Sequence, residues 1–190
     1  VGLFTSESFT EPTRNIPMLR KKADWVMNQT GFASGGHNAK TMRKIIEYYP
    51  REELWQVSRE ELLETARGVL HLLDRPRARV FARRDRFNRF VTALVYVPKD
   101  RYDTDVRVAA GNLIAQAYGG HVESFQPQLG EGQLARVLFV IGDIDKTRAE
   151  PNLHKLDLEL AALTRTWDDD FGQDLMRSER FDTGAREEVS

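Results

Sequence analysis

The stretch "RRDRFNRFVTALVYVPKDRY", residues 83–102, decides how this chain folds. Arg83, Arg84, Arg86 and Arg89 surround an aromatic turn, and a nearly unbroken apolar run follows to Val97. Two readings compete. An RNA-recognition sheet exposes aromatics within a Lys/Arg-Gly-Phe/Tyr-Gly/Ala-Phe-Val-x-Phe/Tyr pattern. Here Phe90 and Tyr96 have aliphatic neighbours and no glycine. The alternative is a buried hairpin with a charged tip, in which arginine stems cover apolar surface while their heads stay wet. Phe90, Leu94 and Tyr96 alternate with Val91, Val95 and Val97, and a strand apolar on both sides is one covered on both sides. The pattern therefore predicts strands at 77–84 and 89–97, a "DRFN" turn between them, and arginine heads paired with Asp85, Asp100 or Asp103.

Working outward toward the C-terminus, Pro98 stops the second strand. Thr104 can cap a helix whose inner face is Val106, Ala110, Leu113, Ile114 and Ala117, and Gly119 and Gly120 end it. A strand at 121–129 contains Pro127, which places it at an edge or next to a bulge. "GEGQ" then turns into a strand at 135–141, and Leu153, Leu156, Leu160, Leu163 and Trp167 form a helical stripe. Strand, strand, helix, strand, strand, helix over 76–172 predicts an α+β two-layer sandwich. It is the ferredoxin-like order in permuted ββαββα form: moving the last strand and helix to the front restores the usual succession.

Toward the N-terminus, residues 2–9 read as a short strand completing a sheet that lies elsewhere. Pro17 opens a helix with Ile16, Leu19, Ala23, Val26 and Met27 at helical spacing, and Gly31 stops it. Ala39, Met42, Ile45, Ile46 and Tyr49 mark a second helix, ended by Pro50. Ser58 with Glu61 spells a capping box before Leu62, Leu63, Ala66, Val69, Leu70 and Leu73. The expected organisation is a short strand and helical segment at 1–75, the sandwich at 76–172, and a polar tail or linker at 173–190. Because the chain begins at Val1, it reads as a piece of a longer polypeptide.

Composition narrows the function. The 190 residues are 41% hydrophobic and 30% charged, with a net charge of −1. Balanced charge supplies no global field for nucleic acid or an anionic membrane, and no apolar run approaches a membrane span. With no cysteine there is no disulfide and no thiolate chemistry, which suits a cytoplasmic setting. In "ASGGHNAKT", 33–41, Lys40 stands at the wrong distance from Gly36 for a phosphate loop, and the glycines of "GEGQLARV" precede a strand, so no dinucleotide fingerprint is present. His37, His71, His121 and His154 lack metal-site spacing. "WDDDFGQD", 167–174, lacks the calcium-loop pattern and reads as a solvated helix end. No catalytic, cofactor-binding or metal-ligating residue is expected.

The phrases "GLFTS", "IPMLRKK", "YYPREELWQVSREELLETARGVLHL", "RPRARVFARRDRFNRFVTALVYVPKDRY" and "LARVLFVI" together resemble the large bacterial NAD-dependent glutamate dehydrogenases over most of residues 2–141. The resemblance implies the N-terminal, non-catalytic region of such an enzyme, with an ACT-like domain of ferredoxin-like topology. NAD would belong to the parent enzyme, not to this piece. It also implies a homo-oligomer, the rest of the parent chain as partner, and a regulatory or assembly role. Conventional ACT modules bind an amino-acid effector near the loop after their first strand. In the permuted order that loop is "GDIDKTRAEPN", 142–152, and its Gly142, Asp143 and Asp145 are the candidate effector contacts.

Overall fold

The computed structural model describes residues 6–130 and 132–164. The segment before residue 76 is helical. α1, Glu7–Thr10, is a single turn in which Phe9 N and Thr10 N both donate to Ser6 O. The strand expected at 2–9 is therefore not formed from Glu7 onward. With no neighbouring strand in reach, these amides bond locally instead; residues 2–5 lie outside the described residues. A 3₁₀ turn, Thr13–Asn15, leads into α2, Pro17–Thr30, with Pro17 in the first turn and Gly31 left-handed at φ 66° as its C-cap. α3 spans His37–Glu47. α4, Arg51–Gln56, is a short helix absent from the sequence expectation, opened by Pro50 with Glu52 and Glu53 in its first turn. α5, Arg59–Asp74, carries the predicted capping box: Glu61 N donates to Ser58 Oγ at 3.1 Å and Ser58 N to Glu61 Oε2 at 2.9 Å. Such a cap stabilises a helix by about 1 kcal/mol.

The sheet follows. β1, Arg79–Arg84, and β2, Val91–Pro98, form the hairpin; α6, Thr104–Tyr118, crosses to β3, His121–Gln128; β4, Leu134–Gly142, returns through the middle; α7, Leu153–Leu163, closes the described chain. The strand order is β1-β2-β4-β3, antiparallel throughout. This is the ferredoxin-like arrangement with its first strand and helix moved to the end. β3 is an edge strand with a register shift between Val122 and Ser124, and Pro127 stands opposite Val137, so proline occupies the position anticipated for it. α6 is capped one residue earlier than expected: the Asp103 carboxylate, not Thr104, accepts from Val106 N at 2.7 Å. Asp103 has extended backbone, which aims its side chain back at the first turn.

Both faces of the sheet are covered. Val91, Ala93, Val95, Val97, Val137, Phe139 and Ile141 pack beneath α6 and α7 with Ala110, Ile114, Tyr118, Leu156 and Leu160. Leu94, Tyr96, Leu134 and Leu138 face the other way, into a core shared with Leu19, Val26, Met42, Ile46, Leu62, Ala66 and Leu72 of the helical segment. The two-layer sandwich thus gains a third layer from residues upstream of it. Period-two alternation in β2 and β4 sends side chains into two separate cores, so both strands are apolar at nearly every position.

Candidate functional site

The hairpin tip bears the arginines, and each meets a different environment. Asp85, buried in the turn, receives Phe87 N at 3.1 Å and Arg89 Nε at 2.8 Å, and Asn88 adopts the left-handed conformation that closes the turn. The Arg89 hydrogen bond, aided by those amides, holds the Asp85 carboxyl down to about 2. Arg86 and Arg89 lie over the exposed Phe87 ring. Tyr96 is buried beneath the helical segment, its ring edge-on to Phe81, and its face of the sheet is not a stacking platform. Asp85 pairs as expected. The partners of Arg83 and Arg84 are instead Glu53 and Glu150, distant carboxylates that no local pattern indicates.

Arg83 crosses the seam between sheet and helical segment. Its Nε donates to Glu53 Oε2 at 2.9 Å and its Nη2 to Glu53 Oε1 at 2.8 Å, with both side chains nearly enclosed. Burial works against the guanidinium charge, yet the Glu53 bonds outweigh it and hold the Arg83 pKa above its ordinary value. Lys22 stands close by, donating to Leu54 O at 2.7 Å and Val57 O at 2.6 Å, and so caps the end of α4. Burial, then the Arg83 charge, lowers its pKa. Tyr49 completes the cluster, its phenol pushed up by burial and by Glu53. Tyr49, Glu53 and Arg83 line a cleft of about 390 Å³ that runs along the outer edge of β1 to His154 and Asp157 on α7. Asp157 accepts the outward amide of Val80 at 2.8 Å, covering a donor that an edge strand otherwise leaves free.

The loop after β4 contains the predicted effector contacts. Gly142 ends the strand with its Cα beside the Glu123 carboxylate, where an added Cβ would lie 2.9 Å from Oε2. Asp143 is exposed, at positive φ, with His121 Nδ1 3.6 Å from its Oδ2. Asp145 is turned inward on its own loop, accepting from Thr147 N at 2.9 Å and Thr147 Oγ1 at 2.7 Å. The loop closes on the end of α6: Asp145 N donates to Tyr118 O, and Arg148 donates to Gln116 O and Ala117 O. Gly120 permits this approach, since a Cβ there would lie 2.3 Å from Gly142 O. The three residues lie along one loop, with Asp143 exposed and the Asp145 carboxylate bonded within its own turn. The residue that brings charge together here is Glu150, which sequence reasoning missed. It accepts from Arg84 Nε and is hydrogen-bonded to the buried Tyr118 phenol. Burial, then Glu150, raises the Tyr118 pKa, and Arg84 lies over its ring at 5.5 Å. Both terminal nitrogens of Arg84 are buried without an acceptor.

Among the described residues no group of three or more His, Asp or Glu side chains is placed to hold a metal ion. The four histidines are dispersed over α3, α5, β3 and α7. "WDDDFGQD" and the tail at 173–190 lie outside the described residues. At the starts of α6 and α7 the Asp103 and Asn152 side chains accept from Val106 N and Lys155 N.

A permuted ferredoxin-like sheet on a helical base, with a folded loop after its central strand, defines an ACT-like module. Two family models match: the helical motif 1 of glutamate dehydrogenase over residues 16–75, and the glutamate dehydrogenase ACT2 domain over residues 79–168. The chain is 38% identical over 170 residues to the NAD-specific glutamate dehydrogenase of Halomonas elongata, covering 90% of this chain and 10% of that protein. It is 33% identical over 171 residues to the Pseudomonas aeruginosa protein of that description, covering 90% and 11%, and 30% identical over 141 residues to the Mycobacterium tuberculosis one, covering 74% and 9%. The chain belongs to the NAD-specific glutamate dehydrogenase family, and it spans about a tenth of the length of these relatives. No helix among the described residues is long and apolar enough to cross a membrane.

Proposed function

We propose that this chain is a non-catalytic part of a cytoplasmic NAD-dependent glutamate dehydrogenase and serves assembly and regulation of that enzyme. The parent reaction converts L-glutamate, NAD and water to 2-oxoglutarate, ammonium and NADH. Residues 1–75 act as the helical base and residues 76–172 as the ACT-like unit seated on it. One observation carries the reading. The helical base and the sheet share a continuous apolar core, fastened across the seam by the enclosed Arg83–Glu53 pair. A seam of that kind transmits displacement between its two sides instead of absorbing it. The exposed edge strand β3 provides a pairing edge for a homo-oligomer. The test is an assay of this chain with L-glutamate and NAD. No NADH forms on this reading, and turnover comparable to the intact enzyme overturns it.

A second reading makes the module a receptor for an amino-acid effector at the 142–152 loop. The unpartnered Arg84 nitrogens beside Tyr118 favour it, because Glu150 then stands where an effector carboxylate would bind. Gly142, Asp143 and Asp145 would line the approach, with Asp143 available to an effector amine. Calorimetric titration with a panel of amino acids decides between the two readings. Heats equal to dilution leave the architectural role, and saturable binding that is lost in Arg84→Met assigns the effector role.

A further inference from the structure

A second cavity lies in the helical base and shares no lining residue with the cleft along β1. It is a groove of about 570 Å³ between α2 and α3, bounded at one end by the turn at Pro12–Arg14. Ala23, Met27 and Ile46 form its apolar floor, and Tyr48, 64% exposed, stands at its rim. Around this floor stand Arg14, Arg20, Arg43 and Lys44. None of these four side chains makes an ion pair or hydrogen bond to a described residue. Two carboxylates line the groove. Glu47 is committed: it accepts from Thr13 N at 3.1 Å and Thr13 Oγ1 at 2.5 Å and lies 3.7 Å from Arg51. Only Asp24 remains to balance four cations among the described lining residues.

The spacing explains the arrangement. Arg20, Ala23, Asp24 and Met27 recur at three and four residues along α2, and Arg43, Ile46 and Glu47 do so along α3. Each helix therefore presents an apolar centre with a charge at its margin to the same groove. Nearby like charges in a concave, low-dielectric wall reinforce one another and raise the local concentration of anions. The size lies within the range of small-molecule sites.

We propose that this groove binds a phosphate-bearing ligand with a flat ring, of which a nucleotide is the chemical type. The phosphates meet Arg14, Arg20, Arg43 and Lys44, and the ring lies on the Met27–Ile46 floor against Tyr48. Arginine forks suit phosphate oxygens geometrically as well as electrostatically, and an aromatic side chain suits the base in any of its identities. The assignment does not depend on the family membership or on the effector loop.

The test is calorimetry on the purified protein at low salt with ATP, AMP, adenosine and inorganic pyrophosphate as probes. The expected order is ATP tighter than AMP, with adenosine far weaker than either. Arg43→Glu with Lys44→Glu, both at exposed positions, weakens ATP at least about tenfold, on the scale of one charge-assisted hydrogen bond. Tyr48→Ala weakens ATP but leaves pyrophosphate unchanged. Asp24→Asn tightens ATP, a gain that a misfolded variant does not show. Binding equal for adenosine and ATP, or unaffected by both charge variants, overturns the proposal. So does the absence of binding at millimolar ATP, or exclusive binding of an acidic peptide such as oligoglutamate, which would make the groove a protein-docking surface.

Discussion

Arg83 of β1 and Glu53 of α4 form a two-pronged ion pair, 2.9 and 2.8 Å, that joins the sheet to the helical base with both side chains nearly enclosed. Removing one partner leaves the other charge buried and unpaired, at about 3–5 kcal/mol. Arg83→Met and Glu53→Gln should each lower the unfolding free energy by that amount, read as a fall in the urea midpoint at unchanged m. The double variant Arg83→Met/Glu53→Leu should recover much of the loss, because it removes both desolvated charges. A double variant no better than the worse single one would show that the pair does more than neutralise itself.

Asp85 supplies a pH signature. Its carboxyl is depressed to about 2 by the Arg89 bond and the turn amides. A depressed carboxyl contributes stability above its unfolded value, near 4, and loses that contribution as pH falls toward 2. Asp85→Asn should therefore be less stable than the native chain at pH 6, and the two should converge between about pH 4 and pH 2. Parallel stability curves across that window would place the turn's strength elsewhere.

Asp157 separates a hydrogen bond from a charge. Burial raises its pKa even though the Val80 amide and Arg79 counter the effect, so the ionised form is strained where it sits. Asp157→Asn keeps an acceptor for Val80 N and sheds the charge, and should match or exceed native stability at pH 7. Asp157→Ala leaves the outward amide of β1 without its partner. It should cost about 1–3 kcal/mol and increase self-association through the uncovered edge. Thermal melting with light scattering reads both effects.

The Gly120–Gly142 approach is a test of loop closure. A methyl at Gly120 would meet a backbone carbonyl at 2.3 Å and Ile141 Cγ2 at 3.0 Å. Gly120→Ala should destabilise by about 1–3 kcal/mol as the loop is pushed off α6. Hydrogen exchange at residues 143–148 should accelerate more than exchange in β2. Uniform acceleration would mean that the loop is not a separate closing unit.

Much of this architecture was legible in the chain because its signals are local. Ser58 and Glu61 are three residues apart and bond each other, Pro17 and Gly31 bracket one helix, and β2 alternates strictly enough to reveal two covered faces. Even the position of Pro127 on an edge follows from its missing donor. Local reasoning failed where competing partners were equally near. At residues 7–10 a strand pattern without a neighbour became a helical turn, Asp103 outcompeted Thr104 as a cap, and α4 is too short to show a period.

What the sequence determined by itself is most of the succession of elements and their buried faces, which follow from side-chain periodicity and short-range bonding, together with a family resemblance that rests on its quoted phrases and not on periodicity. Only the tertiary structure decided which charges meet. Arg83 finds Glu53 thirty residues back, Arg84 finds Glu150 sixty-six residues on, and Asp157 reaches Val80 across seventy-seven. The four cations of the α2–α3 groove come together in the same way. Periodicity states which face a residue occupies, but ion pairing needs a distance in space, and that distance exists only once the layers have packed.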